Sequence, residues 1–243
     1  YYNSILKIQN TAMVHLSFYR SLLYDFLLNI QCQKCNLHFE YVIVLVKHSF
    51  SKLTVFTERD ERNAKSNTEL KMCRNIFQFS KVRVVSPSHA RSTAISSFLF
   101  VQLSSVDISI IDSVFVSISH PIRILLGHSH SYNSPFMFSL NVSGCKFVKN
   151  SGGVGGIIHV DIPQRSSAFI KASFLISSSY FCSNTAKQAG IVQIKNQLSF
   201  IKANIAILNS TFDSNIASFG VALYINNKLK KIGEKYKQTI GLI

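Results

Sequence analysis

From about residue 76 the chain alternates short apolar runs with Ser, Asn and Gly, a pattern of many short strands joined by turns. Three segments align without a gap: LNVSGCKFVKNSGGVGGIIHV (Leu140 to Val160), FLISSSYFCSNTAKQAGIVQI (Phe174 to Ile194) and IAILNSTFDSNIASFGVALYI (Ile205 to Ile225). Each is centred on one aromatic: Phe147, Phe181 or Phe212. Apolar pairs two residues apart precede it (Leu140/Val142, Phe174/Ile176, Ile205/Ile207) and follow it (Ile158/Val160, Val192/Ile194, Leu223/Ile225). A period of two predicts strand rather than helix. Three residues after each aromatic stands Asn150, Asn184 or Asn215, and eight after it Gly155, Ala189 or Gly220. Two before it stands a small residue: Cys145, Ser179 or Ser210. A fourth, more diverged copy places Ile108, Ile110, Ser113 and Phe115 in the same positions, with Ile118 where the others have Asn. Successive anchors are 32, 34 and 31 residues apart.

A unit of this length with short strands cannot bury its own apolar face, whereas stacked copies bury a continuous core. The expected fold class is all-β, a right-handed parallel β-helix of the pectin-lyase-like solenoid type with a short N-terminal helix. Each rung advances by one strand spacing, about 4.8 Å. Phe115, Phe147, Phe181 and Phe212 would then stack, and Asn150, Asn184 and Asn215 would form an amide ladder at a turn. Leucine-rich repeats call for denser Leu and shorter units, and helical repeats need a 3.6 period. An immunoglobulin-like sandwich explains alternation but not gapless repetition.

Ahead of the repeats, residues 1–31 place Leu16, Leu23, Leu27 and Ile30 near helical spacing, which predicts an amphipathic helix. Residues 41–56 read as one or two strands, and the densely charged residues 57–75 as a loop. The domain organisation expected is an N-terminal cap or degenerate coils over 1–75, repeats over 76–227, and a basic tail or truncated coil over 228–243.

The F-x-x-N element followed by a Gly-rich apolar strand (FVKN with GGIIHV, FCSN with AGIVQI, FDSN with GVALYI) resembles the repeats of the chlamydial polymorphic membrane proteins. The likeness covers about residues 105–225. It implies a right-handed parallel β-helix with an extracellular or cell-surface, adhesin-like role. Members of that family carry a C-terminal membrane barrel; here the chain ends in a lysine-rich tail.

Composition narrows the function classes. The 243 residues are 47% hydrophobic and 15% charged, which excludes general disorder. Lys and Arg number 26 against 11 Asp and Glu, a net charge of +15. The basic residues are scattered or gathered near the end (Lys228, Lys230, Lys231, Lys235, Lys237), without an Arg/aromatic RNA-binding motif. They read as a solvated basic surface rather than a specific nucleic-acid site. Cys32 and Cys35 form one C-x-x-C without the second ligand pair of a structural zinc site. They read as thiols or one local disulfide. Met13 to Ile30 is broken by Arg20 and Asp25, and Tyr41 to Val46 is too short for a bilayer, so no transmembrane span is expected. The chain begins at Tyr1, so no leader can be read at this end.

The chemistry-bearing candidates are few. Carbohydrate-active β-helix enzymes need clustered carboxylates or calcium-binding Asp with a neighbouring base. Here His159 and Asp161, expected to point outward beside Ile158 and Val160, are the nearest approach to a catalytic pair. His120, His128 and His130 are the candidate metal ligands, with no carboxylate close in sequence to complete a shell. Asn141-Val-Ser143 and Asn209-Ser-Thr211 fit the N-glycosylation acceptor. No cofactor motif is present. The expectation is a non-enzymatic structural or adhesin-like module, secreted or at a cell surface, with a glycan or protein as partner. The alternative is a diverged carbohydrate-active enzyme, a polysaccharide lyase or glycosidase.

Overall fold

The computed structural model describes residues 5–24, 27–46, 52–56, 75–86, 98–103, 106–126, 136–153, 156–162, 170–187, 190–196, 201–219, 222–227 and 239–242. Every strand pairing among them is parallel, in sheets of 14, seven and two strands. The architecture is all-β and compatible with a parallel β-helix.

Each later rung repeats one itinerary. A first strand such as Ile158–Ile162 and a second such as Ile170–Ser177 lie in the large sheet. A short third strand such as Tyr180–Cys182 lies in the seven-stranded sheet. Alternation buries every second side chain, as in Asn75–Ser80 and Val106–Ile111. Partners in adjacent rungs are 31 to 34 residues apart from Val82 onward.

The N-terminal helix expected over residues 1–31 is not formed. Ile5–Tyr19 and Leu27–Glu40 are long strands, parallel over their whole length with one register shift between Ile8 and Thr11. Leu16, Leu23 and Ile30 have near-helical spacing, yet Val14, Leu16 and Phe18 also alternate, and stacking against the next rung selects that pattern. Burial of Leu37 and Phe39 completes it. Local propensity gives way to tertiary packing here. The second long strand is also where the large sheet divides. Its first half pairs with Lys52–Phe56 and its second half with Asn75–Ser80.

Two kinds of tight corner separate the strands. Arg20, Tyr41, Lys81, Asp112, Ser178 and Asn209 all have φ between 46° and 53°, and Gly144 fills the same corner at 64°. A Cβ on Gly144 would run into the Asp112 carboxylate. Ser117, Lys149, Ser183 and Ser214 form the second left-handed corner, after the third strand.

Candidate functional site

The third strands place Leu23, Val44, Val84, Phe115, Phe147, Phe181 and Phe212 in one register column. The four phenyl rings stack at centroid distances of 4.9, 4.7 and 4.6 Å, with planes within 5° of parallel. Three rungs with Leu or Val in this column carry their phenyl elsewhere. Phe18, Phe39 and Phe79 stack in the second-strand column at 4.7 and 5.1 Å. That column continues as Ile110, Val142, Ile176 and Ile207. Each rung thus pairs one phenyl with one smaller aliphatic, which holds the core volume nearly constant.

Three residues past the anchors, each asparagine side chain bonds back to the preceding rung. Asn184 Oδ1 accepts the Asn150 backbone N–H at 2.9 Å and Asn150 Nδ2 at 3.1 Å, and Asn184 Nδ2 donates to the Phe147 carbonyl at 2.8 Å. Asn215 repeats this toward Asn184 and Phe181. Asn150 does the same to the Ile118 N–H and the Phe115 carbonyl. Asn150 and Asn184 are buried, and Asn215 is half-buried.

A second ladder was missed by sequence reasoning, although its small residues were visible two positions before each anchor. Ser113, Ser179 and Ser210 hydroxyls accept the backbone N–H of Val82, Cys145 and Ser179 from the rung before. Each donates to a carbonyl two residues earlier in its own rung. The Cys145 thiol makes the same local bond to the Ser143 carbonyl at 3.3 Å, and burial pushes its pKa up to about 11.

On the outer side of the first strands, Arg123, His159, Gln193 and Tyr224 align across four rungs, and Leu125, Asp161, Lys195 and Asn226 beside them. His159 does alternate with the buried Ile158 and Val160, but it is not on open surface: only 9% is exposed. Burial pushes its pKa down to about 4. The Arg123 charge adds to this, and Asp161 partly opposes it. The imidazole is therefore neutral near pH 7. Asp161 Oδ2 pairs with Lys195 Nζ at 3.4 Å. Among the described residues, His159 Nε2, Gln193 Oε1 and Asp161 Oδ1 are buried without a hydrogen-bond partner. Among the described residues no second carboxylate joins Asp161, itself held by a lysine beside a neutral imidazole, to make a glycosidase pair. Asp112 and Asp213 belong to different rungs, on the third-strand side of the stack.

The other candidates are dispersed. His120 sits at a left-handed corner with φ 48°, its Nδ1 3.0 Å from the Ser119 hydroxyl, and burial lowers its pKa. His128 and His130 lie outside the described residues, as do Gly155, Ala189 and Gly220. Among the described residues no three His, Cys, Asp or Glu side chains gather to hold a metal. No helix there is long and apolar enough to cross a membrane. Cys35 is buried and disulfide-bonded. Asn209 is exposed at its corner, whereas Asn141 lies within a strand between Ser109 and Leu175 with its Oδ1 buried. No protein-family model, no curated protein and no solved structure matches the chain, so the family likeness rests on the repeat residues alone.

Proposed function

We propose that this chain is a right-handed parallel β-helix serving as a non-enzymatic surface or secreted module, adhesin-like, with a glycan or protein as its ligand. The carrying observation is the in-register stack. Parallel pairing from Ile5–Tyr19 to Thr239–Leu242 fixes outward side chains in straight columns. Such an array is suited to distributed contacts with an extended ligand. The F-x-x-N likeness to the polymorphic membrane proteins supports the same reading, and so does the exposed sequon at Asn209. In this reading residues 1–75 are an N-terminal cap or degenerate first coils, and residues 228–243 a basic tail or truncated coil.

The experiment is to incubate purified protein with a panel of acidic polysaccharides, following new chain ends and binding in parallel. The module reading expects binding to a cell-surface or matrix ligand with no new ends. Cleavage that disappears in Asp161→Asn would replace it with the carbohydrate-active enzyme reading.

A further inference from the structure

The first three rungs carry a surface unlike that of the later ones. At the corner between the second and third strands they hold long side chains, Arg20, Tyr41 and Lys81, at φ 46°, 53° and 53°; among the described residues the later rungs carry a long left-handed side chain only after the third strand, at Lys149. This conformation disfavours side chains other than those of Gly, Asn and Asp. Later rungs place Asp112, Gly144, Ser178 and Asn209 at the same corner. A left-handed residue with a bulky side chain is an outlier of the sort that collects at functional sites.

The three side chains are organised together. The Arg20 guanidinium lies 5.1 Å from the Tyr19 ring centroid and 5.9 Å from that of Tyr41. The two rings meet edge to face at 6.0 Å. Lys81 Nζ sits 4.7 Å from the Tyr41 centroid and donates to its hydroxyl at 2.8 Å. That hydrogen bond raises the Lys81 pKa, so the ammonium stays charged. Tyr19 and Tyr41 are 53% and 41% exposed. Among the described residues Arg20 and Lys81 make no ion pair, and the neighbouring Glu40 is engaged with His38 at 3.4 Å. Arg83 adds an exposed charge two residues beyond Lys81.

From this geometry we infer that the Tyr19–Arg20–Tyr41–Lys81 patch binds a linear anionic glycan. Arg20, Lys81 and Arg83 pair with sulfate or carboxylate groups, and the Tyr19 and Tyr41 rings, each with a cation over it, hold Arg20 and Lys81 in place. Arg offers a planar fork of donors and Lys a point charge, both matched to such anions. The cations recur along the stack axis at multiples of the strand spacing, about 4.8 Å. That is commensurate with an extended polymer bearing one charge every sugar or two. The inference names the ligand class and the surface for the adhesive module proposed above, and it rests on that reading.

The test measures retention of the full chain on heparin, polygalacturonate, neutral dextran and double-stranded DNA at matched ionic strength. The corner variant combines Arg20→Asn, Tyr41→Asn and Lys81→Asn. Asn is at home in the left-handed region, and Asn209 already occupies this corner in another rung, so the variant should fold. The control, Lys146→Gln with Lys149→Gln, removes an equal number of charges, two, from another rung. The expected result is retention on at least one of the two anionic glycans but not on dextran. The corner variant should lose tenfold or more, with unchanged melting temperature, while the control stays within twofold. Heparin and polygalacturonate distinguish sulfate from carboxylate as the anion recognised. Equal losses in corner variant and control overturn the inference, as does DNA binding that matches the glycans. If no glycan binds but a cell-surface protein does, the patch fails and the adhesive module stands. If the protein cleaves the glycan, the module fails while the corner variant still reports on the patch.

Discussion

Asn184 reaches back across one rung to give its amide hydrogen to the Phe147 carbonyl at 2.8 Å. The same residue that stabilises the turn thereby also pins an inner member of the aromatic column. Replacing Asn184 with Leu leaves the Asn150 N–H without its acceptor in a buried site and removes one partner each from the Phe147 carbonyl and from the Asn150 amide, which keeps the Phe115 carbonyl. A buried group left unpaired costs about 1–3 kcal/mol, so urea denaturation should show a loss in that range. Unchanged stability would remove the ladder from the account of the fold.

The hydroxyl ladder makes an asymmetric forecast. Cys145→Ser places at this position the residue found in neighbouring rungs, and stability should change by less than about 1 kcal/mol. Ser179→Ala leaves the Cys145 N–H without its acceptor and should cost about 1–2 kcal/mol. Equal costs for the two variants, measured by the same denaturant titration, would contradict the ladder.

Phe181 sits between two stacked rings and is fully buried, whereas Phe212 has a ring on one face and is half-buried. Phe181→Ala should cost about 3–5 kcal/mol by cavity formation, and Phe212→Ala distinctly less. Thermal unfolding of the two variants orders them, and the reverse order would be inconsistent with the stack.

His159 ties stability to pH. Its folded pKa of about 4 lies below the unfolded value of about 6.5, so the unfolded chain binds more protons between those limits. Stability is then complete above the unfolded pKa and falls as the pH drops through 6.5 toward 4. The loss at the low end is on the order of 2–3 kcal/mol. His120, lowered in the same direction, adds to the slope. His159→Gln should flatten the curve of stability against pH, and a wild-type curve already flat over that window would exclude a buried neutral imidazole.

The two sequons differ in access. In a secretory host Asn209, exposed at its corner, should accept a glycan, and Asn141, whose Oδ1 is buried in a strand, should not. Enzymatic deglycosylation followed by peptide mass mapping reads the two sites separately, and a glycan on Asn141 alone would reverse the assignment.

Legibility in the sequence followed gaplessness. From Ile108 onward every rung has nearly the same length, so Phe115, Phe147, Phe181 and Phe212 and the asparagines beyond them align by eye. The first rungs obey the same register with different lengths: Leu23 and Val44 are 21 residues apart, Val44 and Val84 40. The length change conceals the Phe18, Phe39 and Phe79 column, and helical spacing of Leu16 and Leu23 masks the alternation beneath it. The corner residues Arg20, Tyr41 and Lys81 were invisible for another reason. Nothing in their identity signals a left-handed backbone, which the pairing on either side imposes. The burial of His159 was not legible because alternation reports which side of a strand a residue faces, not what covers that side.

The exchange of phenyl positions between Phe79 and Phe115 has a mechanical consequence. Below that boundary, rings overlap along one column; above it, along another. At the boundary itself Phe79 meets Ile110 and Phe115 meets Val84. Among the described residues no ring lies flat on a ring across this junction, and Phe98 of the same rung meets Phe115 edge-on at 6.0 Å. The stack therefore has a fault plane. Under axial load or partial denaturation it should part there into two cooperative blocks rather than fray evenly, because contacts in such arrays reach only the nearest neighbours.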